Sequence, residues 1–173
     1  MPAESISFKI TGYFSSLICD YIEEADALKA LYFRYPKIEN FKGQIEEKHA
    51  SFNMFSRSIL VDSLKEQYAQ IETSDTTAQN IESLKHENTF TITTGHQLNL
   101  FTGPLYFLYK ILSTINLAEE ISEKFPTKNI VPVYWMATED HDFEEINFFN
   151  FEGRKVQWSR ESSGGVGRLN TDG

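Results

Sequence analysis

The sequence predicts an α/β protein in which a helical amino-terminal segment precedes a parallel β-α-β unit. Apolar residues recur at spacings of three and four between residues 15 and 87, which is typical of amphipathic helices. Two short runs rich in β-branched and apolar residues, 89–94 and 130–137, flank a further helical pattern and indicate buried strands. We therefore place a helical segment at residues 1–88 and the first part of an α/β core at residues 89–173.

The helical segment is predicted to hold about four helices. Leu17, Ile18, Tyr21 and Ile22 mark the apolar face of an early helix, and a second such face begins at Ile59. This segment is expected to pack on the α/β core.

The β-α-β unit follows from three consecutive signals. The first strand ends at Gly95, Pro104 suits the first position of a helix that runs to about Lys124, and the second strand follows it. The second run is nearly continuously apolar rather than alternating, which indicates a strand covered on both faces and therefore a parallel pair with a right-handed crossover.

The last part of the chain predicts a β-hairpin over residues 147–159, with Glu152 and Gly153 near its turn. Residues 162–167 are rich in serine and glycine, so we expect them to be flexible. The chain stops without completing another element, so the core is expected to be incomplete and the chain to be the amino-terminal piece of a larger protein. A compact natural domain is the alternative.

Composition excludes several functional classes. The formal charge of −9 argues against nucleic-acid binding, and no apolar stretch approaches the roughly 20 residues of a membrane span. The single cysteine, Cys19, forms no internal disulfide and is interpreted as a small buried hydrophobe. We expect a cytoplasmic protein that acts on small polar molecules.

Two polar clusters follow the two predicted strands. In an open parallel sheet, ligands collect beyond the carboxyl ends of the strands, so both clusters are expected to line one crevice. The first cluster offers hydrogen-bond donors to a phosphate or carboxylate, and His96 follows the glycine that ends the strand. Its candidate binding residues are Thr94, Gly95, Gln97, Asn99, Thr102 and Gly103.

The second cluster holds Glu139, Asp140, His141 and Asp142. Asp142 is predicted to cap a following helix. The other three leave several roles open: Mg²⁺ binding through carboxylates, binding of a substrate ammonium group, or proton transfer by an Asp–His pair. We favour amine binding or general-base work and assign no permanent metal ligand.

Residues 94–106, TGHQLNLFTGPLY, and residues 132–145, PVYWMATEDHDFEE, together resemble the amino-terminal part of the BshC family, cysteine ligases of bacillithiol biosynthesis. The resemblance implies a Rossmann-like core, with a coiled-coil-bearing region in a much longer protein. It also implies amide formation between the carboxyl group of cysteine and the amine of glucosaminyl malate, with ATP and Mg²⁺ as cofactors. The partners expected are these small molecules, without nucleic acid or membrane; a homodimer is left open.

Within this reading, Asp140, His141 and His96 are the catalytic candidates, and Glu139 and Asp142 join the first cluster as substrate- or nucleotide-binding candidates. The isolated chain is expected to be inactive. Two alternatives stay open: a metal-dependent hydrolase with His96, Asp140, His141 and Asp142 as ligands, and a non-catalytic small-molecule-binding or oligomerisation module.

Overall fold

The computed structural model describes residues 4–170, apart from the side chain of Thr102, and it divides into two units between Phe52 and Asn53. No helix in this described range is long and apolar enough to cross a membrane. The division predicted between residues 88 and 89, and the packing of the helical segment on the core, stay predictions.

The first unit is helical. Ser15 caps its second helix by accepting a hydrogen bond from the Ile18 N–H at 3.4 Å, and Cys19 on that helix is buried, as the sequence predicts. The α-helices are α1 (Phe8–Thr11), α2 (Ser16–Ile22) and α3 (Phe41–Ser51), joined by 3₁₀ turns at Asp26–Leu31 and Ile38–Asn40.

The second unit opens with two capped helices, α4 (Met54–Tyr68) and α5 (Asp75–Ser83). Ser74 caps α5 by accepting from the Thr77 N–H at 3.2 Å. Glu82 on α5 forms ion pairs with Lys65 and Lys85, and these hydrogen bonds lower the pKa of Glu82 to about 2.

Arg57 links α4 to the start of the sheet. Its guanidinium donates to the carbonyl oxygens of Leu84 and Thr89, both at 3.0 Å. Val61, Leu84 and Val131 form the buried core beside it. One buried side chain thus satisfies two backbone acceptors that would otherwise be costly to bury.

The predicted β-α-β unit is confirmed. Strand β1 (Thr89–Gln97) pairs in parallel with β2 (Asn129–Ala137), and α6 (Leu105–Lys124) connects them. β1 continues two residues past Gly95, its predicted end, because Gly95 pairs with Trp135 within the ladder. A Cβ at Gly95 would lie 3.1 Å from the Trp135 Cβ. His96 therefore belongs to the strand rather than to the loop after it.

The hairpin is also present. After the short helix α7 (Phe143–Ile146), strands β3 (Phe148–Phe151) and β4 (Arg154–Gln157) pair antiparallel around Glu152 and Gly153. Both turn residues have positive φ, 48° and 75°, which matches the twist that hairpin turns require. With α6 on the parallel pair, the described residues form an incomplete α/β core.

Candidate functional site

Two loops leave the same edge of the parallel pair. Gln97 and Ala137 are partners at the ends of β1 and β2, so the first loop (residues 98–104) and the second loop (residues 138–142) begin side by side. The Gln97 side chain, at the end of β1, interacts with the Asp140 carboxylate on the second loop and helps to lower its pKa. The structure brings together the two clusters that the sequence singles out.

A hydrogen-bond network fixes the imidazole of His96. The Asn99 side-chain nitrogen donates to the Gln97 carbonyl at 2.9 Å and to His96 Nδ1 at 2.9 Å. The Gln97 carbonyl sets the orientation of the Asn99 amide, because an amide oxygen facing it would be repelled. Nδ1 must then be the acceptor, although it also lies 3.1 Å from that carbonyl. The proton sits on Nε2, which donates to Tyr106 Oη at 2.7 Å.

Aromatic rings and one lysine hold this network in place. Phe107 meets the rings of His96 and Tyr134 edge to face, at centroid distances of 5.8 and 5.6 Å. Tyr134 donates its hydroxyl to the His96 carbonyl at 3.3 Å, and burial raises the pKa of Tyr134, so it stays a donor. Lys110 Nζ donates to the Gly95 carbonyl at 3.2 Å.

Gly103 closes the first loop in a conformation that other residues rarely adopt. Its φ and ψ are 60° and −154°, and a Cβ at this position would lie 2.5 Å from Asn99 Cγ. Pro104 is extended and precedes α6, so the helix begins at Leu105, one residue later than the sequence predicts. Gly103 therefore shapes the loop and leaves room for Asn99 to reach His96.

The second loop is organised around the Asp140 carboxylate. Its Oδ1 accepts the Asp142 N–H at 2.8 Å, and this bond is the first cause of a lowered Asp140 pKa; the interaction with Gln97 is the second. Asp142 accepts the Glu145 N–H at 3.3 Å, which confirms it as the cap of α7. Asp140 therefore stays ionised at neutral pH and presents a fixed negative charge.

Residues 165–167, at the end of the glycine-rich segment, pack against the second loop, whereas residues 162–164 are exposed. Val166 is buried; its N–H donates to the Asp140 carbonyl at 2.7 Å, and the Gly167 N–H donates to the Thr138 carbonyl at 2.9 Å. A Cβ at Gly167 would lie 2.5 Å from Thr138 Cβ. The glycines permit close backbone packing here, and the segment braces the acidic loop.

The remaining candidates lie around this crevice. Glu139 and His141 are exposed on the second loop, whereas Thr94 is half-buried on β1, and the side chain of Thr102 lies outside the described part of the structure. Within residues 4–170, no three His, Cys, Asp or Glu side chains come together as a metal-binding group. The ligand set of the hydrolase alternative is therefore not assembled in the described range.

Two residues missed by sequence reasoning, Tyr106 and Lys110, belong to the network. They stand four residues apart on α6, so they share one helix face beside the end of β1. That spacing is the signal that could have identified them. They also line an open groove of about 460 Å³, together with Ile92, Thr93, Thr94, Tyr109, Ser113, Thr114 and Leu117.

Comparison with known proteins gives a consistent match. The sequence model described as "Bacillithiol biosynthesis BshC, N-terminal Rossmann-like domain" matches residues 1–173. The chain is 62% identical over its full length to "Putative cysteine ligase BshC" of Flavobacterium johnsoniae, covering 33% of that protein. The protein of the same name from Flavobacterium psychrophilum is 61% identical over 99% of the chain and 32% of its own length. In Bacillus cytotoxicus, the identity is 36% over 91% of the chain and 28% of the relative. The chain thus spans about a third of the length of these curated relatives.

Proposed function

The chain belongs to the BshC family, whose N-terminal domain is Rossmann-like, and we propose that it supplies the substrate site of a cysteine ligase of bacillithiol biosynthesis. The proposed reaction joins the carboxyl group of cysteine to the amine of glucosaminyl malate as an amide. The observation that carries this proposal is the Asp140 carboxylate, held ionised on the second loop and linked through Gln97 to the donors of the first loop.

The second loop suits the binding of a sugar ammonium group. Asp140 carries a fixed negative charge, and Glu139 adds an exposed carboxylate next to it. Because its pKa is lowered, Asp140 is a weak base, and we assign it to binding the amine rather than to removing its proton.

Proton removal falls to His141. An amine attacks a carbonyl carbon only when it is neutral, so one ammonium proton must leave before the bond to carbon forms. His141 is exposed beside Asp140, and imidazole is the side chain best suited to exchange protons near neutral pH. In this assignment His141 accepts the proton and returns it to water, while Asp140 holds the amine in place.

His96 has a different role in this proposal. Its Nδ1 is occupied by Asn99 and its Nε2 by Tyr106, so the imidazole has no free nitrogen for general-base work. We propose that His96 positions Tyr106, while Thr94 and Gln97 offer donors to the phosphates of ATP.

The donor set fits ATP and Mg²⁺. Mg²⁺ commonly binds one or two protein carboxylates together with phosphate oxygens. In this proposal Glu139 provides such a carboxylate on the second loop, while Asp140 holds the amine. Thr94 and Gln97 would face the phosphates from the first strand. When bound, ATP supplies the activation of the cysteine carboxyl group, which otherwise does not react with an amine in water. We also propose a cytoplasmic location, where thiols are kept reduced.

The test uses the full-length protein that contains this chain. Cysteine and glucosaminyl malate are incubated with and without Mg·ATP, and the amide product is measured by mass spectrometry. Asp140→Asn is the informative variant, because an amide oxygen can still accept the Asp142 N–H while the charge is lost. Asp75→Asn, on α5, is the matched control.

We expect ATP-dependent product from the wild type and from the control, and a loss of about 100-fold or more in Asp140→Asn. Absence of product under every condition from folded protein would overturn the ligase proposal. Full turnover by Asp140→Asn would overturn the role assigned to the second loop.

A further inference from the structure

Tyr106 and Lys110 project from successive turns of α6 and are both tied to the end of β1. Tyr106 is held by His96 Nε2 at 2.7 Å, and Lys110 by the Gly95 carbonyl at 3.2 Å. Lys110 Nζ also lies 5.7 Å from the centre of the Tyr106 ring. Two donors of different chemistry are therefore fixed side by side, next to the two loops.

The hydroxyl of Tyr106 is available as a donor. Because Asn99 makes Nδ1 of His96 an acceptor, the Nε2 proton is donated to Tyr106 Oη, which leaves the phenol O–H free to point elsewhere. Among the described atoms of residues 4–170, the Tyr106 hydroxyl has no hydrogen-bond partner besides His96. The network thus holds the phenol oxygen in place without using its proton.

The charge of Lys110 is not neutralised by a carboxylate in the described range. The ion pairs found there join Lys9, Lys29, Arg34, Lys37, Lys65 and Lys85 to acidic partners. Lys110 instead uses one of its three ammonium donors on a neutral backbone carbonyl. In a chain with 25 acidic and 16 basic residues, a lysine without a carboxylate partner among the described residues is well suited to an external anion.

We propose that the Tyr106 hydroxyl and the Lys110 ammonium form an anion subsite that binds the oxygens of a carboxylate or phosphoryl group. The groove of about 460 Å³ beside them provides room, and Thr94 and Ser113 are among the residues that line it. As a substrate subsite, it rests on the proposed function and deepens it by naming the groups that would hold the anionic end of a substrate.

Direct binding tests this inference on the full-length protein. Isothermal titration calorimetry measures the affinity for L-malate, a dicarboxylate, and separately for tripolyphosphate. Tyr106→Phe removes only the hydroxyl, and Lys110→Gln removes the charge but keeps most of the side chain. Tyr68→Phe on α4 and Lys124→Gln at the far end of α6 are the matched controls. Hydrogen exchange across β1 verifies that every variant is folded.

We expect the wild type to bind at least one probe, and each of the two site variants to raise its Kd about tenfold or more, as expected for loss of a hydrogen bond to a charged group. The controls should leave the Kd unchanged. Binding of malate alone assigns the subsite to a carboxylate, and binding of tripolyphosphate alone assigns it to a phosphoryl group.

The inference fails if neither probe binds, or if both site variants bind like the wild type. Its failure is distinct from failure of the ligase proposal. Anion binding that depends on both residues, in a protein that forms no amide, would keep the subsite and remove the ligase. Amide formation with unchanged binding in both variants would do the reverse.

Discussion

Replacing Gly103 by alanine should disconnect the His96 network from the first loop. The new Cβ would lie 2.5 Å from Asn99 Cγ, a separation that requires movement of the Asn99 side chain or of the backbone. Asn99 holds both the His96 ring and the Gln97 carbonyl, each at 2.9 Å. A single methyl group should therefore act on the tautomer of a histidine that it does not contact.

The expected cost has two parts. A residue with a side chain at φ 60° and ψ −154° is strained by about 1–3 kcal/mol. Loss of the two Asn99 hydrogen bonds adds about 0.5–1.5 kcal/mol each. Together these give about 2–6 kcal/mol. Gly153 is the matched control, because its φ is also positive, at 75°, and nothing lies within 4 Å of its added Cβ. Gly153→Ala should cost only about 1–2 kcal/mol.

Hydrogen exchange followed by mass spectrometry on the full-length protein measures the local free energy of opening. For Gly103→Ala the region of interest is β1 with the first loop, and for Gly153→Ala it is the hairpin. We expect strong loss of protection near residues 96–103 in Gly103→Ala and a small loss near the hairpin in the control. Equal, small effects of the two substitutions would refute the argument that Gly103 is required by the position of Asn99.

Three further predictions concern charge, tautomer and loop bracing. The carboxyl of Glu82 should titrate in an NMR pH series with a pKa of about 2, because its two lysine partners stabilise the ionised form. The ion pairs therefore contribute fully to stability above the usual pKa of 4.5, and their contribution is lost as the pH falls toward 2. A titration near 4.5 would contradict the ion pairs. Asn99→Asp replaces a donor by an acceptor, so ¹⁵N spectra should show the His96 proton moving from Nε2 to Nδ1. An Nδ1 proton already present in the wild type would contradict the assigned tautomer. Gly167→Ala should expose the amides at 166 and 167 to hydrogen exchange, because it breaks two hydrogen bonds worth about 1–3 kcal/mol together. The control Ser163→Ala should leave their protection unchanged. Unchanged protection in Gly167→Ala would show that the segment does not brace the loop.

The sequence was sufficient for the parallel pair and the hairpin because these elements depend on local signals. Continuous β-branched and apolar runs predict buried strands, and a Glu-Gly step between aromatic residues predicts a tight turn. The end of β1 was harder to predict, because a glycine usually marks a turn. Gly95 instead lies within the ladder, where its partner Trp135 leaves little room for a side chain.

The network around His96 was only partly predictable. Asn99 and Gln97 were recognised as donors, but their partners depend on side-chain geometry that spacing does not encode. Tyr106 passed unnoticed because aromatic residues on an amphipathic helix usually belong to its apolar face. The close packing of residues 165–167 was not predictable for a similar reason, since glycines serve both flexible linkers and close backbone packing.

The apolar face of α6 is buried only in part. Ala118 and Ile121 are buried against the sheet, whereas Leu105, Leu108 and Leu112 remain exposed in the described structure. A two-stranded sheet is too narrow to cover a 20-residue helix, so periodicity correctly identifies the face without showing how much of it is covered.

The central claim is that the two loops form one substrate site. The most direct measurement is hydrogen exchange by mass spectrometry on the full-length protein, with and without saturating glucosaminyl malate. The account predicts increased protection in both residues 94–106 and residues 138–142, with α4 unchanged. Protection of only one loop, or of neither while the ligand binds elsewhere, would contradict it.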